Sequence, residues 1–128
     1  MTLNFNQLQS LVTVLNALKD EKLPFKLSLI LAKNSAMLQK EFDFYLEQER
    51  KFALEYLEFD ENGAPIQQGE NMFKIKDGKQ EECAEARQAL NEFTCECDLR
   101  MIPLSLIENL EMTPAQLEGL ELIIDEEA

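Results

Sequence analysis

The sequence of 128 residues contains no histidine and no tryptophan. Without histidine there is no Ser-His or Cys-His nucleophile system, no histidine-ligated zinc site and no side chain that ordinarily titrates near neutral pH. Glycine is scarce as well, and the four glycines stand singly, so the sequence has no glycine-rich phosphate loop and no Gly-x-Ser-x-Gly nucleophile elbow. These absences predict that the protein is not an enzyme, with no catalytic residues and no cofactor.

Basic residues are also few: 12 Lys and Arg stand against 25 Asp and Glu, which gives a net charge of -13. This charge argues against direct binding of nucleic acid and against docking on an anionic membrane. The most apolar stretch, residues 23–37, is interrupted by Lys26, Lys33 and Asn34, so we expect no membrane span. The N-terminus lacks the pattern of a secretory signal, and three cysteines are an odd number for a disulfide framework. A cytoplasmic protein is predicted.

The length predicts a single domain over 1–128, large enough to bury a core. Apolar residues recur at steps of three and four from Phe5 to Leu18, and Asn4 and Gln7 stand in capping-box positions, so a helix is predicted over 4–20. Pro24 suits the first turn of the next helix, and neither Gly nor Pro occurs from 25 to 59. A long helix is therefore predicted over 24–59, about 50 Å in length at roughly 1.5 Å per residue.

The second half of the chain predicts shorter elements. Turn residues at 62–63 and 77–78 enclose a hairpin over 64–77, and a helix follows over 80–92. Apolar and polar residues then alternate from Phe93 to Met101, which predicts a strand over 93–101. Thr113, Pro114 and Gln116 form an N-terminal helix signature, so the C-terminal helix is placed over 114–124.

The element lengths predict how the helices pack. The first helix covers the first half of the long helix and the third helix returns along its second half, because short connections favour antiparallel neighbours. The strand over 93–101 is expected to join the hairpin in a three-stranded antiparallel sheet, since an isolated hairpin is marginal. The predicted fold class is α+β, mainly α: a long antiparallel helical hairpin with a small antiparallel β-sheet and a short C-terminal helix.

Two groups of residues are candidates for a metal or catalytic site. Cys95 and Cys97 point to one face of the predicted strand, and Cys83 offers a third thiol, but zinc sites take four ligands. Core packing is therefore the favoured interpretation of the cysteines, and no metal site is predicted. The second group is a loop and strand of mixed charge with no diagnostic nuclease spacing, interpreted as a solvated surface; it consists of Asp60, Glu61, Glu70, Lys74 and Lys76.

Aromatic residues cluster in the second half of the long helix. Phe42, Tyr45, Phe52 and Tyr56 approximate one stripe, whereas Phe44 lies off it. The stripe has two interpretations: a core contact with the third helix, or an apolar face that meets another subunit. Because a helix of this length has more surface than its short neighbours can cover, we predict these four residues as interface residues in a homodimer or higher assembly.

The acidity also has two interpretations. A high net charge keeps a protein soluble. Alternatively, ordered carboxylates can imitate phosphates, which would make the protein an acidic nucleic-acid mimic that inhibits a host DNA-binding enzyme.

Short motifs along the whole chain resemble those of a family of small proteins of unassigned activity that tailed bacteriophages and prophages encode. The motifs lie at residues 3–8 (LNFNQL), 15–18 (LNAL), 21–27 (EKLPFKL), 31–34 (LAKN), 38–41 (LQKE), 47–50 (EQER), 102–105 (IPLS) and 117–123 (LEGLELI). The resemblance implies a phage or prophage origin and the cytoplasm of an infected bacterium, and it carries over no functional residue. The function predicted is a non-enzymatic virion-assembly or accessory factor that acts by protein–protein association with a partner not yet identified.

Overall fold

The computed structural model describes residues 1–127, and its fold is mainly α-helical with a little β-structure, as predicted. Two compact units are present where one domain was expected. Unit 1 comprises Met1–Phe42 together with the chain from Thr94 onward, and unit 2 comprises Asp43–Phe93. The long helix is continuous and contributes residues to both units.

Four α-helices and four short strands make up the described chain. The helices are α1 (Phe5–Leu18), α2 (Phe25–Tyr56), α3 (Gln80–Asn91) and α4 (Pro114–Leu120). The strands are β1 (Thr2–Asn4), β2 (Thr94–Glu96), β3 (Ile102–Pro103) and β4 (Ile124–Asp125), and 3-10 turns lie at Leu104–Leu106 and Glu121–Ile123.

In unit 1, α1 is held at its start by the predicted capping box. The Asn4 side chain accepts a hydrogen bond from the Gln7 N–H at 2.9 Å, and the Gln7 side chain accepts one from the Asn4 N–H at 3.0 Å. The inner face of α1 is fully buried at Leu8 and Leu11. The ring of Phe5, in the first turn of α1, stacks on that of Phe42, as the predicted antiparallel arrangement requires.

The other side of α1 lies against α4. A side chain at Gly119 would place its Cβ 3.0 Å from the Cβ of Val14, so a glycine permits the close approach of the two helices. A Thr113–Gln116 capping box starts α4 where the sequence predicted. The sequence predicted that this helix extends to 124, but it ends at Leu120. The chain tightens to 3-10 geometry at 121, and Ile124 then pairs in parallel with Ile102.

The strand predicted over 93–101 is wrong in its length and in its partner. Only Thr94–Glu96 form β2, which pairs antiparallel with β1, with Leu3 opposite Cys95, and not with the hairpin. Further along the chain, the backbone of Arg100 is engaged by the side chain of Asn34 on α2. Asn34 Nδ2 donates to the Arg100 carbonyl at 2.8 Å, and the Arg100 N–H donates to Asn34 Oδ1 at 2.8 Å.

Unit 2 contains three extended segments, 57–60, 64–68 and 72–76, that share backbone hydrogen bonds in a cycle. The Glu58 N–H donates to the Lys74 carbonyl at 2.9 Å, and the Lys74 N–H donates to the Ile66 carbonyl at 2.7 Å. The Ile66 N–H closes the cycle by donating to the Glu58 carbonyl at 2.9 Å. The two arms of the predicted hairpin over 64–77 thus pair with each other, with Gln67 opposite Phe73. Segment 57–60 pairs with both arms of the hairpin, which explains why the long helix ends at Tyr56 and not at 59.

Asn34 is a fully buried polar residue, and we predict that unit 1 depends on it. Asn34→Ala removes both bonds to Arg100 and leaves a small void, so it should lower the free energy of unfolding by about 2–3 kcal/mol. Asn16→Ala, on the exposed side of α1, is the matched control and should change stability by less than about 0.5 kcal/mol. Urea denaturation measures both, and equal effects of the two substitutions would contradict the assignment.

Candidate interaction surface on the long helix

The aromatic stripe of α2 lies against its own chain in unit 2. Tyr45 is 6% exposed, and its ring centre lies 5.0 Å from that of Phe93. The rings of Phe52 and Tyr56 are 5.3 Å apart, and the guanidinium of Arg87 lies 5.0 Å from the centre of Phe52. The α3 helix therefore covers this face of α2, which supports the core-contact interpretation for this part of the stripe.

Of the four predicted interface residues, Phe42 belongs to unit 1, where it stacks on Phe5 with the ring centres 6.1 Å apart. All four residues thus contact their own chain. The expectation that the stripe is left uncovered is wrong for Tyr45, which is buried against Phe93, 48 residues further along the chain. A role of Phe42, Phe52 and Tyr56 in an interface stays a prediction.

A charged cluster of Glu49, Arg87 and Tyr45 joins α2 to α3. Arg87 Nη1 donates to Glu49 Oε2 at 3.0 Å, Arg87 Nη2 donates to Glu49 Oε1, and the Tyr45 hydroxyl donates to Glu49 Oε1 at 2.5 Å. The bonds from Arg87 hold the pKa of Glu49 below its usual value, although partial burial opposes this shift. Burial, followed by the bond to Glu49, raises the pKa of Tyr45. Because the charges of Glu49 and Arg87 neutralise each other, the cluster stabilises the contact between α2 and α3.

The apolar side chains that α2 does expose in unit 2 are Phe44, Leu46 and Leu54, at 55%, 46% and 51% exposure. Leu46 and Leu54 form a row with Arg50 at steps of four residues, and Arg50 is bonded to Glu47 at 2.6 and 2.9 Å. The interface prediction named the aromatic stripe and not this row. The sequence pattern that could have identified the row is the four-residue repeat at 46, 50 and 54. This repeat lies on a different side of the helix from Tyr45.

The cysteines are buried, as predicted. Cys95 and Cys97 lie on one side of the chain with their sulfur atoms 3.9 Å apart, 8% and 5% exposed. Burial, reinforced by the neighbouring thiol, raises the pKa of Cys95 to about 12, and burial also raises those of Cys97 and of Cys83 on α3. Metal binding and nucleophilic attack both need the thiolate, so this environment disfavours them. Within residues 1–127 no three His, Cys, Asp or Glu side chains are grouped to hold a metal ion.

The acidic loop and its lysines take part in local structure. The Asp60 carboxylate accepts two backbone N–H bonds, at 2.9 and 3.0 Å, within its own turn. Lys74 pairs with Glu58 at 3.1 Å, and Lys76 Nζ donates to the Leu54 carbonyl at 2.8 Å. These contacts give Asp60, Lys74 and Lys76 a place in the local structure, whereas Glu61 and Glu70 are exposed.

None of the helices within residues 1–127 is both long enough and apolar enough to cross a membrane. No protein-family model matches the chain. Comparison with curated proteins and comparison with solved structures each gave no significant match. Similarity to known proteins therefore assigns no functional residue.

The lowered pKa of Glu49 predicts a pH-dependent contribution to stability. A carboxyl group whose pKa is lower in the folded state stabilises the fold above its unfolded pKa of about 4.3, and this contribution is lost as the pH falls through the folded pKa. Glu49→Gln should therefore lower the free energy of unfolding by about 1–2 kcal/mol at neutral pH, and by less at about pH 3.

Glu47→Gln serves as the control for Glu49→Gln, since Glu47 forms a solvent-exposed pair with Arg50 on the same helix. Exposed pairs contribute little, so this variant should unfold close to wild type at both pH values. Urea titrations at the two pH values measure the effect. A Glu49→Gln loss that is the same at both would show that the charge is not its cause.

The thiol environment predicts slow alkylation. At about pH 8.5 an ordinary cysteine is half ionised, whereas the raised pKa values leave few thiolates in the folded protein. Iodoacetamide followed by mass spectrometry should label the folded chain slowly and label all three cysteines rapidly in concentrated urea. Rapid native labelling of Cys95 or Cys97 would indicate a reactive thiol instead.

Proposed function

We propose that this chain is a non-enzymatic protein of a tailed bacteriophage or prophage that acts by associating with protein in the host cytoplasm, as a virion-assembly or accessory factor. The phage origin rests on the resemblance of its short motifs, above all the residues 21–27 and 31–34. Association with protein rests on the surface of α2.

The observation that carries the proposal is the set of large apolar side chains that α2 exposes in unit 2. Phe44, Leu46 and Leu54 are each exposed to about half of their area or more, although they belong to a well-ordered helix whose other side is packed. Removing apolar area from water contributes about 25 cal/mol per Å², so this side of the helix gains from being covered. Exposed apolar groups that are flanked by polar residues, here Arg50 and Glu47, are typical of protein contacts.

We expect the wild-type chain to self-associate through this row. Light scattering should give a mass above the 14.8 kDa of one chain, at low and at high salt, because an apolar contact is not weakened by screening. A variant with both Leu46→Glu and Leu54→Glu should remain folded and become a monomer at high salt, since charges there cannot be buried unpaired.

Leu122→Glu is the matched control, because Leu122 is also exposed, at 40%, but lies in the 3-10 turn after α4 in unit 1. It should keep the wild-type mass. Circular dichroism establishes that each variant is folded. An unchanged mass for the folded Leu46 and Leu54 double variant would overturn this row as the contact.

The alternative function, an acidic nucleic-acid mimic, is supported by one feature of unit 2. Glu81, Glu85 and Glu92 are exposed along one side of α3, and the first two α-carbons are about 6 Å apart along the helix. The row is short, however, and no second carboxylate row on α3 accompanies it, whereas a DNA duplex presents phosphates on two strands. Self-association is therefore the function that the geometry supports better.

A further inference from the structure

Charge is divided unevenly along the chain. Residues 1–40 contain five of the 12 basic residues and two of the 25 acidic residues, so the net charge of this part of the chain is +3. The other 88 residues contain the remaining seven bases and 23 acids and stand at -16. A protein of strongly acidic composition thus has one basic region, and that region includes the first half of α2.

The basic residues of α2 in unit 1 lie on a single exposed side, which we call the basic face. Lys26, Lys33 and Lys40 recur every seven residues, with Leu29 and Ala36 between them, and all five residues are exposed. The steps of three and four residues place the five on one side of the helix, away from the buried residues Leu27, Leu31, Asn34 and Leu38. Within residues 1–127 these three lysines form no ion pair.

The outer side of α3, in unit 2, has the opposite charge, and we call it the acidic face. Glu81, Glu85 and Gln88 of α3 and its C-cap residue Glu92 recur at steps of four, three and four residues, and all are exposed. The opposite side of α3 carries the buried Cys83 and packs on α2. None of the three carboxylates forms an ion pair in the described part of the chain, although Gln88 Nε2 donates to Glu92 Oε1 at 3.2 Å.

The two faces match in spacing as well as in charge. Lys33 and Lys40 are seven residues apart, as are Glu85 and Glu92, and seven residues rise about 10.5 Å in any α-helix. Two helices laid antiparallel along these faces bring Lys33 to Glu92 and Lys40 to Glu85 together, and the small Ala36 between the lysines allows close approach.

We propose that the basic face of α2 in one copy binds the acidic face of α3 in a second copy. The inference rests on the proposed function, association with protein, and names the partner and the chemistry of the contact. Because the two faces differ, the contact is heterologous, and each chain keeps one face of each kind for further copies. Such a contact builds rings or filaments, in contrast to a two-fold dimer that closes on itself.

A second copy is a better partner than a free polyanion. The remainder of the chain, at -16, repels DNA, RNA or an anionic lipid surface. At about 0.15 M salt the screening length is about 8 Å, so the repulsion between two acidic chains is damped while charges in direct contact still interact. The acidic face supplies the complementary charges at the required spacing.

Two neutralising variants and their mixture test the contact. Variant one carries Lys33→Gln and Lys40→Gln, and variant two carries Glu85→Gln and Glu92→Gln. Glutamine is a good helix former at exposed positions, so both variants should remain folded. By sedimentation velocity at about 0.15 M salt, each variant alone should self-associate at least about tenfold more weakly than wild type.

The mixture identifies the contact as heterologous. Variant one keeps an intact acidic face and variant two keeps an intact basic face, so the mixture should associate more strongly than either variant alone. The control variant, with Lys22→Gln and Glu108→Gln, changes exposed charges outside both faces and should associate like wild type.

Three outcomes overturn the proposal. In the first, variant one self-associates as strongly as wild type, which rejects the basic face; a loss of association on Leu46→Glu and Leu54→Glu would then leave the proposed function standing. In the second, the mixture associates no more strongly than either variant alone. A wild-type chain that is monomeric, yet binds a single-stranded oligonucleotide through Lys33 and Lys40, would assign the face to a polyanion.

Discussion

The rest of the structure depends on one unbroken helix, α2, whose two sides have different roles. No Gly or Pro interrupts Phe25–Tyr56, so the backbone hydrogen bonds run without a break and each turn presents one side to the protein and the other to solvent. In unit 1 the inner side buries Leu27 and Leu38 fully. In unit 2 the inner side carries Tyr45 and Glu49, which contact Phe93 and Arg87. All of the proposed contacts lie on the outer side of α2 or on the outer side of α3.

Sequence reasoning worked where the determinants of structure are local. The capping boxes at Asn4 and Thr113 involve residues three positions apart, and both helices begin where these motifs predicted. The turn residues likewise located the pairing of Gln67 with Phe73. Pairings between distant residues could not be predicted in this way. Strand β1 has three residues, too few for an alternating pattern, and its partner residues lie 90 to 94 positions away. The cycle through Glu58 also depends on partners 8 and 16 residues later, which competed with the helical pattern and ended α2 early.

The candidate site was predictable in kind and not in position. The sequence indicated that α2 carries more apolar surface than its neighbours cover, and Phe44, Leu46 and Leu54 are exposed on it. The interface was predicted at the aromatic stripe because large rings repeat along it. However, the bond between Glu49 and Arg87, 38 residues apart, holds α3 against this side of α2, where Arg87 also lies over Phe52. Which side of a helix is covered depends on such distant contacts. The basic and acidic faces could have been read from the spacing of Lys26, Lys33 and Lys40 and of Glu85 and Glu92, once the covered sides were known.

We propose that the uncovered sides of α2 and α3 contact other copies of the chain. Sedimentation equilibrium of the wild-type protein over a wide concentration range, at about 0.15 M salt where the screening length is about 8 Å, tests it most directly. The account predicts a weight-average mass that rises with concentration above the 14.8 kDa of one chain. A mass that stays at one chain throughout the range would contradict it.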